Sequence, residues 1–487
     1  MGDPRPITHP VKFYERGDRP LEIVTSRQWF IRNGGRDESL RQELLARANE
    51  LAWHPPYMKV RYDNWVNGLN GDWLISRQRF FGVPIPVWYP LGPDGDPDHE
   101  HPIVPDEASL PVDPTTDVPP GYTAAQRGEP GGFSGDPDVM DTWATSSVTP
   151  HIACGWADDP DLFAATFPMD LRPQGPEIIR TWLFATLLRS HFEHGTVPWA
   201  NTTINGWILD PDRKKMSKSK GNVITPLPLV EEFGSDAVRY WACNGRPGTD
   251  TALDTGIMKI GRRLAIKILN ASKFALGRLG DGPAPGIEAV TEPLDMALLG
   301  QLAHLVDAAT AAHEEFDYAR ALEITESFFW TFCDDYVELV KTRAYGEGDP
   351  SGADSARATL GLALSVLHRL FAPFLPFVTE EVWRWWQPGS VHRAPWPNAA
   401  EMGAHADGDP AALQVAAEVL GAVRRAKTTG KRSMRARVSE LTVSGPSATL
   451  AAVEAARHDL IDAGGVDTLT LVEGDELAVT VALAEEG

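Results

Sequence analysis

Trp207-Ile208-Leu209-Asp210, followed after three residues by Lys214-Lys215-Met216-Ser217-Lys218-Ser219-Lys220-Gly221-Asn222, joins a short apolar run to a basic, glycine-bearing loop. Residues 203–209 read as a short buried strand. Just upstream, residues 177–193 carry Ile178, Ile179, Trp182, Leu183, Leu187 and Leu188 at helical spacing, which predicts a strongly apolar helix. Residues 139–222 as a whole alternate short strands with helices. Strand, helix, strand and loop, in that order, form the second half of a doubly wound parallel sheet.

Working toward the N-terminus, residues 90–138 are dense in Pro, Gly and Asp and have little periodicity, which predicts a long, partly irregular surface insertion. His99 and His101 lie in it with no cysteine nearby, so solvation suits them better than metal ligation. Residues 73–89 are aromatic and β-prone, broken by Pro84 and Pro86. Residues 37–52 read as a helix, and residues 11–14 and 21–24 as strands between turn residues.

Downstream of Pro226 the chain turns mainly helical. Helices are predicted over 227–242 and 257–279, then, past a Pro/Gly-rich linker at 280–286, over 294–316, 317–345, 355–371 and 377–386. Their apolar periodicity suggests an antiparallel bundle. A second linker covers 387–409. The remainder reads helix, turn, strand, helix and two strands (468–472 and 477–481), a small α+β module. The fold class is thus α/β plus all-α: a partial doubly wound parallel sheet, a helical bundle and a small C-terminal α+β module.

The 487 residues exceed one ordinary core, so two to four domains are expected. No apolar run is long enough to span a membrane, and the polar, proline-rich start does not read as a signal peptide. Cys154, Cys243 and Cys333 lie far apart, which argues against a zinc knuckle or a disulfide framework and fits a reducing cytoplasm. The formal net charge of -22 disfavours a nucleic-acid partner unless cations cluster locally. Two clusters do: Arg213 to Lys220, and Arg424, Arg425, Lys427, Lys431, Arg432, Arg435 and Arg437. Each is either a solvated face or a phosphate-binding surface.

Lys215 to Ser219 spell the complete KMSKS signature, and with that loop after a buried strand and before Gly221-Asn222-Val223 the chain resembles the class I aminoacyl-tRNA synthetases. Asp138-Val139-Met140-Asp141-Thr142-Trp143-Ala144-Thr145-Ser146-Ser147 resembles the valyl branch more closely than the isoleucyl one. Pro173-Gln174-Gly175-Pro176-Glu177 through Trp182 resembles the segment cradling the ATP ribose and adenine, although Pro176 stands where the family usually has His. Proline is tolerated in a helix's first turn, but the imidazole is lost. Segments at 22–29, 71–78, 84–88, 317–336 and 373–383 extend the likeness in the family's order along nearly the whole chain.

That resemblance implies a Rossmann-like fold, an anticodon-binding bundle, and a valine--tRNA ligase reaction that consumes ATP, with Mg²⁺ accompanying it, to join valine to tRNA(Val). Adenylate formation builds charge on phosphate oxygens, and catalysis is mainly positioning plus electrostatic stabilisation. By resemblance, Lys215 and Lys218 are catalytic; Gly175, Glu177, Lys215, Met216, Ser217, Lys218 and Ser219 bind ATP; Trp143 and Trp182 wall the amino-acid pocket; and Arg424, Arg425, Lys427 and Lys431 meet tRNA. No protein-bound metal or zinc is expected, and no membrane partner. The implied domains are 1–30 (editing-domain exit), 31–138 (connective insertion), 139–225 (second half of the catalytic sheet), 226–285 (stem-contact helices), 286–400 (anticodon bundle) and 401–487 (C-terminal module). The family's second signature, HIGH, has no counterpart here, since no His-x-Gly-His occurs. The expectation is therefore a C-terminal part, truncated or split, that is inactive and without proofreading alone and that works with a separate N-terminal half carrying HIGH. The alternatives are a non-catalytic tRNA-binding paralogue and a degenerate product.

Overall fold

A computed structural model describes residues 8, 10–13, 18–21, 25–217, 221–280, 285–346 and 349–485. It divides into two compact units, Met1–Thr202 and Thr203–Gly487.

The first unit opens with β1 (Phe30–Ile31), α1 (Glu38–Ala48), β2 (Ala52–His54), α2 (Lys59–Asn67), β3 (Trp73–Leu74) and β4 (Ser76–Arg77). Of the two strands predicted earlier, residues 14 and 22–24 lie outside the described residues; Phe13 bridges Pro20. Asp37 caps α1 by accepting from Leu40 N at 3.1 Å. The helix predicted to residue 52 stops at Ala48, because the chain must turn extended to bury Trp53, whose ring lies 6.0 Å from that of Tyr62.

The predicted irregular insertion is more ordered than its composition suggests. β5 (Trp88–Pro90) pairs antiparallel with β6 (Phe133–Gly135), and Trp88 Nε1 donates to Asp117 O at 3.1 Å. His101 pairs with Asp98 at 2.9 Å, while the His99 ring sits 4.5 Å from that of Tyr89. β7 (Val139–Met140) then pairs antiparallel with β4. It leads to α3 (Thr142–Ser146), α4 (Thr149–Ala153), α5 (Pro160–Thr166), β8 (Met169–Gln174), α6 (Phe184–His194) and β9 (Trp199–Ile204). The predicted helix at 177–193 is present but not uniform: a 3₁₀ turn (Pro176–Ile178) and a π turn (Ile179–Leu183) precede α6. Gly195, at φ 63°, ends it.

β9 is the middle strand of the order β2-β9-β8. Met169 N donates to Pro198 O at 3.0 Å near the start of both β8 and β9, and Gln174 Nε2 to Thr202 Oγ1 at 3.1 Å further along. Contacts that advance together along two strands joined by a crossover helix are those of a parallel pair. α1 packs on α6. Leu44, Tyr62, Val66, Ile179, Leu183, Leu187 and Trp199 are all buried in this unit.

The second unit continues with β10 (Ile208–Leu209), α7 (Pro226–Phe233), α8 (Ser235–Cys243), β11 (Thr251–Ala252) and α9 (Thr255–Leu279). The single strand predicted at 203–209 is split between β9 and β10 by Asn205-Gly206. A Cβ at Gly206 would lie 1.9 Å from Thr249 O, so only glycine passes there. β10 pairs parallel with β11. The single helix predicted at 227–242 is broken at Gly234, whose φ of 89° no helix accepts.

The bundle comprises α10 (Pro293–Glu314), α11 (Tyr318–Thr331), α12 (Val337–Ala344), α13 (Pro350–Phe371) and α14 (Pro376–Trp383). A π turn at Phe332–Tyr336 separates α11 from α12. α15 (Ala411–Thr429), β12 (Val438–Gly445), α16 (Ser447–Ala455), α17 (Arg457–Gly464), β13 (Val466–Glu473) and β14 (Ala478–Leu483) complete the chain, with strand order β13-β12-β14. β12 is parallel to β13 and antiparallel to β14. One apolar core runs from Tyr240 and Leu264 through the bundle to Leu441, Val443 and Val466. α8 is pinned to the bundle: Tyr240 donates to Glu326 at 2.6 Å, Asp236 accepts from Val378 N at 2.8 Å, and Tyr318 donates to Gly245 O at 2.8 Å. Among the described residues no helix is long and apolar enough to cross a membrane.

Candidate active site

The lysine loop is built on a reversal at the end of β10. Asp210 N donates to Lys214 O at 2.9 Å, Arg213 N to Asp210 O at 2.8 Å, and Leu209 bridges antiparallel to Lys215. The Asp210 carboxylate accepts from Asn222 Nδ2 at 2.8 Å and Lys214 N at 2.7 Å. These bonds, that of Asn222 first, hold it below the usual carboxylate range. Asn222 Oδ1 in turn accepts from Ser217 N at 3.0 Å, and its Nδ2 reaches Lys215 O at 3.3 Å. One amide thereby ties both ends of the loop to a buried aspartate. Exposed Lys215 lays its Nζ 3.5 Å from the Trp207 ring centroid, a cation–π contact. The Trp207 backbone is itself fixed by Asp250, which accepts from its N at 2.8 Å. Met216 and Ser217 follow, half-buried; Lys218, Ser219 and Lys220 lie outside the described residues. A cation held on an aromatic face at a loop's entrance suits a negatively charged oxygen approaching from solvent.

In the first unit, β8 delivers the chain to Gly175, which caps the 3₁₀ turn, with Pro176 buried in the turn's first position. The Glu177 side chain folds back over Gly175: a Cβ there would lie 2.5 Å from Glu177 Oε2. The glycine thus leaves an exposed carboxylate beside an open backbone. The π turn that follows carries Trp182, whose indole N–H donates to Ser146 O at 2.9 Å and Thr149 Oγ1 at 3.2 Å. Ser146 ends the helix that bears Trp143, so the two half-buried tryptophans belong to packed elements. Asp141 fixes that helix by accepting from Trp143 N at 3.1 Å, Trp73 Nε1 at 3.1 Å and Arg77 Nη2 at 2.6 Å.

On β8 the structure sets Gln174, part of the segment quoted above, beside Arg172, which the sequence alone does not single out. Arg172 and Gln174, two apart and hence on one face of the strand, are 9% and 5% exposed. The Arg172 guanidinium stacks on Trp182, Cζ lying 3.2 Å from the ring centroid, with Trp199 at 5.3 Å. Its Nη2 is buried without a hydrogen-bond partner. Burial pulls this guanidinium down to about 10, with no carboxylate opposing the effect. Gln174 Nε2 donates to Thr202 Oγ1 at 3.1 Å, and that hydroxyl donates to Arg172 O at 3.2 Å. The amide orientation is therefore set, leaving Gln174 Oε1 buried and unpartnered. The only signal in the sequence is an arginine within a short strand, too weak to mark a site.

The C-terminal basic cluster divides in two. Lys427 is 2% exposed and donates to Gly464 O at 2.8 Å and Met434 O at 3.0 Å. Burial lowers its ammonium from the usual lysine range, and Arg437 adds to the effect. The reading of Lys427 as a tRNA contact is thereby corrected: it is an internal tie, because the chain wraps it and turns two carbonyls onto its ammonium. Arg424 donates to Asp334 O at 2.8 Å, while Arg425 and Lys431 are exposed.

Residues 22–254 match the family described as tRNA synthetases class I (I, L, M and V), and residues 295–442 match the anticodon-binding domain of tRNA ligase. The chain is 64% identical to the valine--tRNA ligase of Thermobifida fusca, over 99% of this chain and 55% of that protein. It is 60% identical to that of Salinispora tropica (97% and 57%) and 57% identical to that of Leifsonia xyli (98% and 56%). The chain thus spans about half the length of the curated relatives it matches. Among solved structures, the ternary complex of Agrobacterium radiobacter K84 agnB2 LeuRS with tRNA and LeuAMS shares the fold, with TM-score 0.53 and 24% identity over 68% of this chain and 42% of that one.

Proposed function

We propose that the chain is part of a class I tRNA synthetase, and that it supplies the KMSKS side of a site that activates valine with ATP and transfers it to tRNA(Val). The observation that carries this reading is the lysine loop itself, a KMSKS sequence closed by Asn222 onto Asp210 with Lys215 presented on Trp207. Lys215 and Lys218 draw electron density toward the departing pyrophosphate. Met216, Ser217 and Ser219 complete the phosphate side, Gly175 leaves room for the nucleoside, and Glu177 accepts from ribose hydroxyls. Trp143 and Trp182 bound the valine side chain; two indoles enclose a small branched chain and exclude a larger one.

Among the described residues no three His, Cys, Asp or Glu side chains are grouped to hold a metal ion. Mg²⁺ in this reading travels with the ATP phosphates, as such ions commonly do. Residues 1–30 and 31–138 lead out of an editing domain and back into the catalytic sheet, 139–225 carry its KMSKS half, 226–285 the stem-contact helices, 286–400 the anticodon bundle and 401–487 a terminal module. Exposed Arg425 and Lys431, with Arg424, supply cations for tRNA phosphate. The reaction takes place in the cytoplasm, when a HIGH-bearing segment completes the cleft, whether on a separate polypeptide or not.

Valine-dependent ATP–pyrophosphate exchange tests the proposal. The chain mixed with a HIGH-bearing segment from a close relative is expected to exchange, and Lys215→Ala to abolish it. No exchange from the mixture would remove the ligase reading. tRNA binding in its absence would favour a non-catalytic paralogue, for which Pro176 in place of the family's histidine is the supporting observation.

A further inference from the structure

The short helix that carries Trp143 is gripped along its last turn by the segment that carries Trp182. Trp182 Nε1 donates to Ser146 O and Thr149 Oγ1, and the Thr149 hydroxyl donates to the same Ser146 O at 2.6 Å. About two turns beyond Trp182, Arg189 of α6 donates through Nε to Ser147 Oγ at 2.7 Å and through Nη2 to Ala144 O at 3.3 Å. The Ser147 hydroxyl donates to Ala144 O as well, at 2.6 Å. The last carbonyls of a helix lack partners inside it and carry partial negative charge, which suits a guanidinium. Burial lowers Arg189 from the usual guanidinium range, with Glu193 at 3.8 Å on its own helix partly opposing the effect.

α3 has five residues, too few to hold a helical form by its own hydrogen bonds. Its place is set by these ties and by Asp141 at its first turn. A merely cohesive arginine would direct its donors to a carboxylate on a neighbouring element; Arg189 directs them to the end of the one helix that bears Trp143.

We infer that Arg189 and Thr149 are positioning residues that fix the separation of Trp143 and Trp182, and through it the preference for valine over isoleucine, which is longer by one methylene. This rests on the reading of the two indoles as walls of the amino-acid pocket and deepens it. Walls that reject one methylene must be held to about 0.5 Å, and a supporting shell of hydrogen bonds does that where apolar contact does not.

The test compares wild type, Arg189→Met, Arg189→Lys and Thr149→Val, each completed by a HIGH-bearing segment from a close relative, in pyrophosphate exchange with valine and with isoleucine. Arg189→Met is expected to lower the valine-over-isoleucine ratio of kcat/KM about tenfold, through KM and not kcat, with KM for ATP unchanged. Arg189→Lys keeps a donor for Ser147 Oγ and should recover most of the ratio. Thr149→Val, at an exposed position, should lower it about threefold. The chain alone gives a second readout: with 5-fluorotryptophan incorporated, and Trp182→Phe to identify the signal, the Trp182 fluorine resonance should shift in Arg189→Met and Thr149→Val. An unshifted resonance overturns the inference. So does an equal loss of kcat for both amino acids at an unchanged ratio, as a purely structural role would give, and the ligase reading then stands. If Arg189→Met does not fold, Thr149→Val decides on the same two readouts. A shifted resonance with no exchange even from wild type removes the ligase reading, and the specificity role with it.

Discussion

Arg343 meets both carboxylate oxygens of Asp459, Nε to Oδ1 at 2.9 Å and Nη2 to Oδ2 at 3.0 Å, joining α12 of the bundle to α17 of the C-terminal module. On its other side the same guanidinium holds Asp295 of α10, Nη1 to Oδ2 at 2.9 Å, and Asp295 also accepts from Tyr336 at 2.8 Å and Ser355 at 2.6 Å. All three charged groups are largely withdrawn from water. Removing one partner of a buried ionic group leaves the rest uncompensated, at about 3–5 kcal/mol. Asp459→Ala is expected near the lower end, ~3 kcal/mol, because Arg343 keeps Asp295. Urea unfolding of the variant checks this; a loss under about 1 kcal/mol would mean the bridge is solvated.

His151 gives the first unit an acid weakness. Its ring is buried among Trp156, Phe167 and His194, and neither nitrogen has a partner. Burial, with His194 and Arg189 nearby, pushes it down from 6.5 to about 4. The unfolded chain therefore takes up this proton first, and stability falls as pH drops from 6.5 toward 4. His151→Phe should lessen that fall without lowering stability at neutral pH. Unfolding curves at about pH 7.5 and pH 5 measure it, and identical acid losses in both proteins would reject it.

Asn222→Ala should loosen the lysine loop. The variant loses the bonds to Ser217 N and Asp210 Oδ2, each worth about 1 kcal/mol. Trypsin cleavage after Lys214 and Lys215 is then expected to quicken about tenfold with no change in the melting temperature of the bundle. Unaltered cleavage would show that the loop is held elsewhere.

The two kinds of basic residue near the C-terminus should separate on substitution. Lys427→Met strands the buried Gly464 carbonyl and releases that of Met434, and should cost about 1–3 kcal/mol of stability. Arg425→Glu and Lys431→Glu should leave stability within about 0.5 kcal/mol. They should lower the salt dependence of tRNA binding, by roughly one unit of slope for each phosphate no longer neutralised. Equal slopes in wild type and the double variant would remove these cations from the RNA surface.

Much of the fold is legible in the sequence because its signals are periodic or rigid. Ile179, Leu183 and Leu187 mark one helical face, and the run Lys215 to Ser219 is specific at five successive positions. What pattern cannot supply is the third dimension. Lys427 reads as one more cation of a basic stretch, yet it is turned inward by carbonyls from Met434 and distant Gly464. Arg172 carries no local signal, since its meaning comes from Trp182 and Trp199 on two other elements. The break between α7 and α8 falls where a single glycine, Gly234, outweighs a favourable apolar period. The order inside residues 90–138 comes from tertiary bonds such as Trp88 to Asp117 O, which composition does not encode.

The pinning of α8 gives the second unit a mechanical character. From Glu326 in the bundle a hydrogen bond runs to Tyr240, and the same helix carries Trp241, whose indole donates to Ala252 O at 3.1 Å on β11. Leu253 N donates to Leu209 O at 2.9 Å, at the root of the lysine loop. Every link in this series is a bond between packed elements. A load applied to the bundle by a large ligand is therefore borne by the loop's foundation as well, as in a lever whose fulcrum and blade are one piece of metal.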